Sequence, residues 1–170
     1  MSEQIFESVI PNRILVPVDF SASSHQALDA ATELAMKFGA ELHLLHVVPE
    51  YVTATLPVEI SAASIVEAAR KAAEDRFAVS RKHLEEKGVR CNTSIQVGSD
   101  VAATILDAIE SQKIDLVVFT THGLSGWYPQ VFGSIAEKLV RLVHCPVMLL
   151  RTPKPERSAK VSYSGMMEWW

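Results

Sequence analysis

The sequence predicts an α/β fold: an open, doubly wound sheet of five parallel strands in the order 3-2-1-4-5, with helices on both faces. Two observations carry the expectation. Short apolar runs alternate strictly with segments of helical period along the chain, the pattern of a parallel sheet with crossover helices. Several of the runs are apolar at consecutive positions, as in strands buried on both faces. Right-handed crossovers then fix the winding. In such a sheet, ligands bind beyond the carboxyl ends of the strands, where the strand order reverses.

The elements follow in chain order. Residues 1–11 read as a loose arm ending in Pro11. Arg13 to Val18 (RILVPV) is the first strand, with Pro17 at its end or at a bulge, since proline donates no ladder hydrogen bond. Asp19-Phe20-Ser21 turns the chain. Ser21 or Ser23 caps a helix from about Ser24 to Phe38, whose apolar face is Ala27, Leu28, Ala31, Leu34, Ala35 and Phe38, and Gly39 stops it. Glu41 to Val48 is the second strand, ended by Pro49, and a loop with Pro49 and Pro57 follows. Ser61 to Lys87 is a long alanine-rich amphipathic helix, stopped at Gly88. Arg90 to Val97 is a more polar third strand, expected toward an edge. Gly98-Ser99-Asp100 forms a tight turn and cap for a helix from Val101 to Ser111. Asp115 to Phe119 is the fourth strand. A helix follows from Gly133-Ser134, and Pro146 to Leu150 is the fifth strand.

Composition bounds the function. At 170 residues and 48% hydrophobic content, the chain makes one domain with a full core. A net charge of −4 and the lack of any basic block argue against nucleic-acid binding. No run is long and apolar enough to span a membrane, and MSEQIFESVIPN is no secretory signal, so a cytoplasmic protein is expected. Cys91 and Cys145 lack metal spacing and read as free thiols. His43 and His46 lie three apart on a strand, point to opposite faces and make no metal pair.

The stretch DLVVFTTHGLSGWYPQVFGS, residues 115–134, carries the chemistry. A strand runs into Thr120-Thr121-His122-Gly123, and an excursion then closes at Gly133-Ser134 as a helix begins. Backbone N–H groups at a helix N-terminus have no intrahelical partner and favour an anion, and glycine lets the main chain approach it. These features point to a phosphate site; each glycine taken alone is equally a turn or helix-start residue. No Lys precedes Ser134, so this is not a P-loop, and no GxGxxG follows the first strand. Asp19 reads either as a ligand-contacting carboxylate or as a helix cap, and His122 either as a phosphate donor or as a loop histidine. Trp127, Tyr128 and Phe132 make the excursion aromatic, as a lid or a partner surface, and it holds no Lys or Arg.

With these motifs in hand (ILVPVDFS, LHVV, VGSD and the THG–GS segment) the chain resembles a universal stress protein of the ATP-binding type, over residues 12 to 151. The resemblance implies an adenine-nucleotide alpha-hydrolase-like fold and a domain at 12–151 followed by a tail at 152–170. The family motif Gly-x2-Gly-x9-Gly-Ser/Thr matches Gly123, Gly133 and Ser134, while Thr120 stands at its first glycine. By the same resemblance Asp19 is the acidic residue after the first strand, and Val47 contacts adenine through its backbone. The candidate nucleotide-binding set is Pro17, Val18, Asp19, Val47, Gly98, Thr120, Thr121, His122, Gly123, Gly133, Ser134 and Ile135, with no catalytic residue and no protein metal ligand expected. The ligand implied is ATP, ADP or AMP, with Mg²⁺ or Mn²⁺ bridging the phosphates. The implied role is regulatory, in the universal stress response, as a homodimer through the strand Pro146–Leu150. A slow ATP hydrolase and a dimeric interaction protein without nucleotide are the competing readings. The tail, ending in Met166, Met167, Trp169 and Trp170, reads as disordered over 152–164, with its Met/Trp end either free or docked.

Overall fold

The computed structural model describes residues 10–50, 62–121 and 133–151. The expectations for residues 1–9, the loop 51–61, His122, Gly123, the aromatic residues 127, 128 and 132 and the tail 152–170 lie outside them. Strands and helices alternate as β1 (Arg13–Pro17), α1 (Ala22–Phe38), β2 (Glu41–Pro49), α2 (Ala62–Glu86), β3 (Cys91–Gly98), α3 (Val101–Ser111), β4 (Leu116–Thr120), α4 (Ser134–Leu142) and β5 (Val147–Leu150). All four strand pairings are parallel, in the order β3-β2-β1-β4-β5. This is the order the sequence predicts.

Each face of the sheet carries its own core. Ile14, Val16 and Val18 of the first strand segment pack with Ala27, Leu28 and Ala31 of α1 and with Phe77 and Leu84 of α2. Leu15, Leu45 and Val47 pack on the opposite face with Ile105 and Ile109 of α3 and with Ala136 and Leu139 of α4. The alternation along β1 therefore seats helices on both sides, which is what doubly wound means in side-chain terms. The edge strands are the polar β3 and the short β5, whose Met148 is 37% exposed.

Several boundaries move for local reasons. Helix α1 begins at Ala22 rather than near Ser24, because Ser21 is its N-cap and accepts from the Ser24 N–H at 3.1 Å. Asp115 is not the first residue of β4. Its carboxylate accepts the backbone N–H groups of Asn12 and Arg13 at 2.9 Å each, and this clamp sets the start of β1 against β4. Thr120 extends β4 at its other end. Pro146 lies outside β5, though its carbonyl still accepts the Val117 N–H at 3.0 Å. Pro17 is the last residue of β1. Both cysteines are free and partly buried. Burial pushes the Cys91 thiol up to about 11 and raises that of Cys145, so neither is a thiolate at neutral pH.

Candidate functional site

The order reverses between β1 and β4, and most of the candidate residues gather at the carboxyl edge on either side of that point. Asp19 follows β1, Val47 lies near the end of β2, and Thr120 and Thr121 end β4. The β4 end is tied down on both sides. The Thr121 N–H donates to Leu150 of β5 at 3.0 Å, and the Thr121 carbonyl accepts the Gly133 N–H at 3.0 Å. Residues 121 and 133 are therefore joined through the main chain beside the first turn of α4. A Cβ on Gly133 would sit 3.2 Å from the Thr121 carbonyl oxygen, a tight approach that favours glycine at this position.

Among the helices that start at this edge, α1, α3 and α4 differ at their N-termini. Helix α1 is capped by Ser21, and Asp19 braces the cap by accepting both the Ser21 N–H at 3.0 Å and its hydroxyl at 2.5 Å. Helix α3 is capped by Asp100, whose Oδ1 accepts the N–H groups of Ala102 and Ala103 at 2.9 and 3.2 Å. Helix α4 starts at Gly133, which offers no side-chain cap. The Gly133 N–H is used by Thr121, and the Glu137 N–H closes the first intrahelical bond onto Gly133. Between them stand the N–H groups of Ser134, Ile135 and Ala136, the orphan donors of a helix start.

Val47 brings a second set of main-chain groups. In a parallel strand, the N–H and C=O of one residue point to the same side, and successive residues alternate. The Leu45 carbonyl accepts the Val18 N–H at 2.8 Å, so Leu45 faces β1, and Val47 faces the same way two residues later. The register of β1 with β2 ends at Pro17 with Leu45. The Val47 N–H and C=O are thus directed over the end of β1, toward Asp19. The Val47 side chain is buried beneath α3 and α4.

Not every candidate joins this cluster. Gly98 lies at the end of the edge strand β3, paired with Pro49. A Cβ there would collide with the Thr104 side chain, so close packing against α3 accounts for this glycine. The cations nearest in sequence are committed elsewhere. Lys138 pairs with Asp100 at 2.8 Å, and Arg141 pairs with Glu137 of its own helix at 3.0 Å. Arg13 donates to the Gln112 carbonyl at 2.9 Å, at the opposite end of the sheet. Arg151 is a further cation outside the candidate set. It directly follows Leu150, whose carbonyl holds the Thr121 N–H, so it places a cation at the correct edge. A lone basic residue immediately after the last apolar strand is the signal that marks it. His43 and His46 do face opposite ways. His43 Nδ1 lies 2.9 Å from the Gln112 side chain near α3, and His46 Nδ1 lies 2.7 Å from the Val18 carbonyl. No cluster of three metal-ligating side chains occurs among the described residues, and no described helix is long and apolar enough to cross a membrane.

Known proteins with this architecture agree. The chain is 32% identical to universal stress protein MJ0531 of Methanocaldococcus jannaschii over 158 residues, covering 89% of this chain and 92% of that protein. It superposes on universal stress protein UspA of Lactobacillus plantarum with a TM-score of 0.74 at 25% identity, covering 82% of this chain and 97% of the other. Two more distant structures share the fold and were solved with nucleotides. One is a universal stress protein in complex with cAMP, with a TM-score of 0.57 at 21% identity, covering 84% of this chain and 98% of its own. The other is the universal stress protein of Archaeoglobus fulgidus in complex with dAMP, with a TM-score of 0.58 at 19% identity, covering 82% and 98%. The family model described as the universal stress protein family matches residues 11–151. This chain therefore belongs to the universal stress protein family.

Proposed function

We propose that this protein binds an adenine nucleotide at the carboxyl edge of its sheet and serves as a nucleotide-responsive regulatory protein of the cytoplasmic stress response. The observation that carries the reading is the uncapped start of α4. There, three orphan N–H groups stand beside the Gly133–Thr121 main-chain hydrogen bond, where a Cβ would crowd the Thr121 carbonyl. Such an end offers roughly half a positive charge and directed donors to a phosphate. The relatives solved with cAMP and dAMP support the ligand class, since both ligands are an adenine nucleoside with a single phosphorus group.

The residues fit each part of such a ligand. Ser134, Ile135 and Ala136 would hold phosphate oxygens through main-chain N–H groups, with the Ser134 hydroxyl and Thr121 alongside. The Val47 N–H and C=O form a donor–acceptor pair that matches adenine N1 and the N6 amino group. Guanine and hypoxanthine present the reverse pattern. Asp19, whose Oδ1 already holds Ser21, would accept from a ribose hydroxyl or from the base. Thr120, at the first motif glycine, sits at the β4 end with its Cα partner in Leu150.

A triphosphate brings more charge than one helix end neutralises. Mg²⁺ or Mn²⁺ bridging the phosphates, held by them rather than by protein side chains, would supply the balance, with Arg151 beside it. The protein is further proposed to be a homodimer through the edge strand β5, where Met148 is exposed. Sedimentation tests this: the dimer should dominate at tens of micromolar, and Met148→Lys should shift it to monomer. For the nucleotide, heat release from purified protein followed by chromatography, together with calorimetric titration of dAMP, gives the decision. Binding of dAMP but not dGMP is expected, and no binding of either would overturn the reading.

A further inference from the structure

The corner between β1 and α1 holds a strained residue. Phe20 has φ 62°, one of two non-glycine residues in the left-handed region among the described residues. That conformation is strained for a residue with a Cβ and persists only where the surroundings enforce it. Here the ring is held from three sides. The His46 ring lies 4.7 Å away and the Phe77 ring 5.3 Å away, centroid to centroid, and the Arg76 guanidinium lies 5.0 Å above it. Helix α2 and strand β2 thus grip the residue that follows Asp19.

His46 also does something to the main chain. The ladder between β1 and β2 runs up to the Val18 N–H, which donates to Leu45 at 2.8 Å. In a parallel ladder the next rung would run from the Val47 N–H to the Val18 carbonyl. That carbonyl is instead 2.7 Å from His46 Nδ1. A carbonyl only accepts, so Nδ1 carries the proton and the imidazole replaces the rung.

We infer that His46 is a positioning residue that ends the β1–β2 ladder one rung early, so that the Val47 N–H is kept for the base of a bound nucleotide rather than spent on Val18. Phe20, clamped against the same imidazole, holds the corner that turns Asp19 toward that base. Both act on the ligand through other groups, and neither touches it. The inference rests on the adenine-nucleotide reading for its consequence, while the main-chain exchange of partners it describes exists without ligand.

The two are therefore tested separately. In ligand-free protein, amide hydrogen exchange should find Val47 poorly protected beside Leu45. Replacing His46 with leucine removes a hydrogen bond and yet should slow exchange at Val47 by about tenfold, because the Val18 carbonyl becomes its acceptor. Asn places an amide N–H about where Nδ1 sits, so His46→Asn should keep Val47 unprotected. A Val47 amide as protected as Leu45 in the wild-type protein overturns the inference, even if neither variant folds. In titrations, His46→Leu should lose about tenfold in dAMP affinity and most of its preference for dAMP over dIMP, and His46→Asn should recover both to within about threefold. Unchanged base discrimination in His46→Leu also overturns it. A wild-type protein that shows the exchange pattern but binds no nucleotide leaves the ladder account standing and removes the nucleotide reading instead.

Discussion

Helices α3 and α4 start side by side at the same edge of the sheet, and they solve the problem of unsatisfied N–H groups in opposite ways. At α3 the protein supplies its own anion. Asp100 accepts from Ala102 and Ala103, and Lys138 reaches across from α4 to hold the carboxylate at 2.8 Å. At α4 no described side chain plays that part; the N-cap is glycine. The field of a helix start and its free donors are the same in both. The difference is whether an internal carboxylate has taken the place an external anion would occupy. Lys138 sharpens the contrast, since the cation nearest in sequence to the open helix start is spent on the closed one. A finished cap is a stability device, and an unfinished one beside a strand-order reversal is what the proposed phosphate site would use.

The comparison breaks most sharply if α4 is made to resemble α3. Gly133→Asp puts a carboxylate at the open end and crowds the Thr121 carbonyl, and dAMP affinity should fall by at least about a hundredfold while the far-UV spectrum is kept. Gly133→Val adds bulk without charge, and a loss of about tenfold in the same titration separates the steric part from the electrostatic part. Asp19→Ala should weaken adenosine and ATP by a similar factor of about ten, because that carboxylate is assigned to base or ribose. A loss confined to ATP would move it to a metal role. Chelation should lower ATP affinity and leave AMP affinity unchanged. Equal ATP affinity in both conditions would transfer the missing charge to the protein, with Arg151→Ala as the variant to examine.

The smallest effect belongs to the closed helix. The Lys138 hydrogen bond, followed by the N–H of Ala103, holds the Asp100 carboxyl below the usual range. A depressed carboxyl stabilises the fold above its unfolded value, and the contribution is lost as pH falls through the lower folded value. Asp100→Asn should therefore lower Tm slightly at neutral pH. The gap from wild type should close on acidification below about pH 4, with dAMP affinity at neutral pH unchanged.

Much of this was legible in the residues. The parallel sheet with helices on both faces was legible in apolar runs such as Leu116 to Phe119 between helical segments, because burial on both faces leaves a distinctive composition. Gly133-Ser134 after a strand marked the open helix start. What the sequence withheld were relations between distant residues. Nothing near Asp115 announces that its carboxylate clamps Asn12 and Arg13 across the sheet. Gly98 resembled a site glycine, yet the packing of Thr104 accounts for it. The role of His46 depends on which rung of a ladder is missing, a relation its place in the sequence does not show. The pairing of Lys138 with Asp100 and of Arg141 with Glu137 is likewise set by helix geometry rather than by a motif.

The central claim is that the start of α4 receives the phosphate and the start of α3 does not. Backbone amide chemical shifts followed during a dAMP titration of the full chain read both helices at once. The N–H resonances of Ser134, Ile135 and Ala136 should move downfield in a saturable way, together with Val47, while those of Ala102 and Ala103 stay in place. Saturable binding that shifts Ala102 and Ala103 and leaves Ser134, Ile135 and Ala136 unmoved would contradict the account.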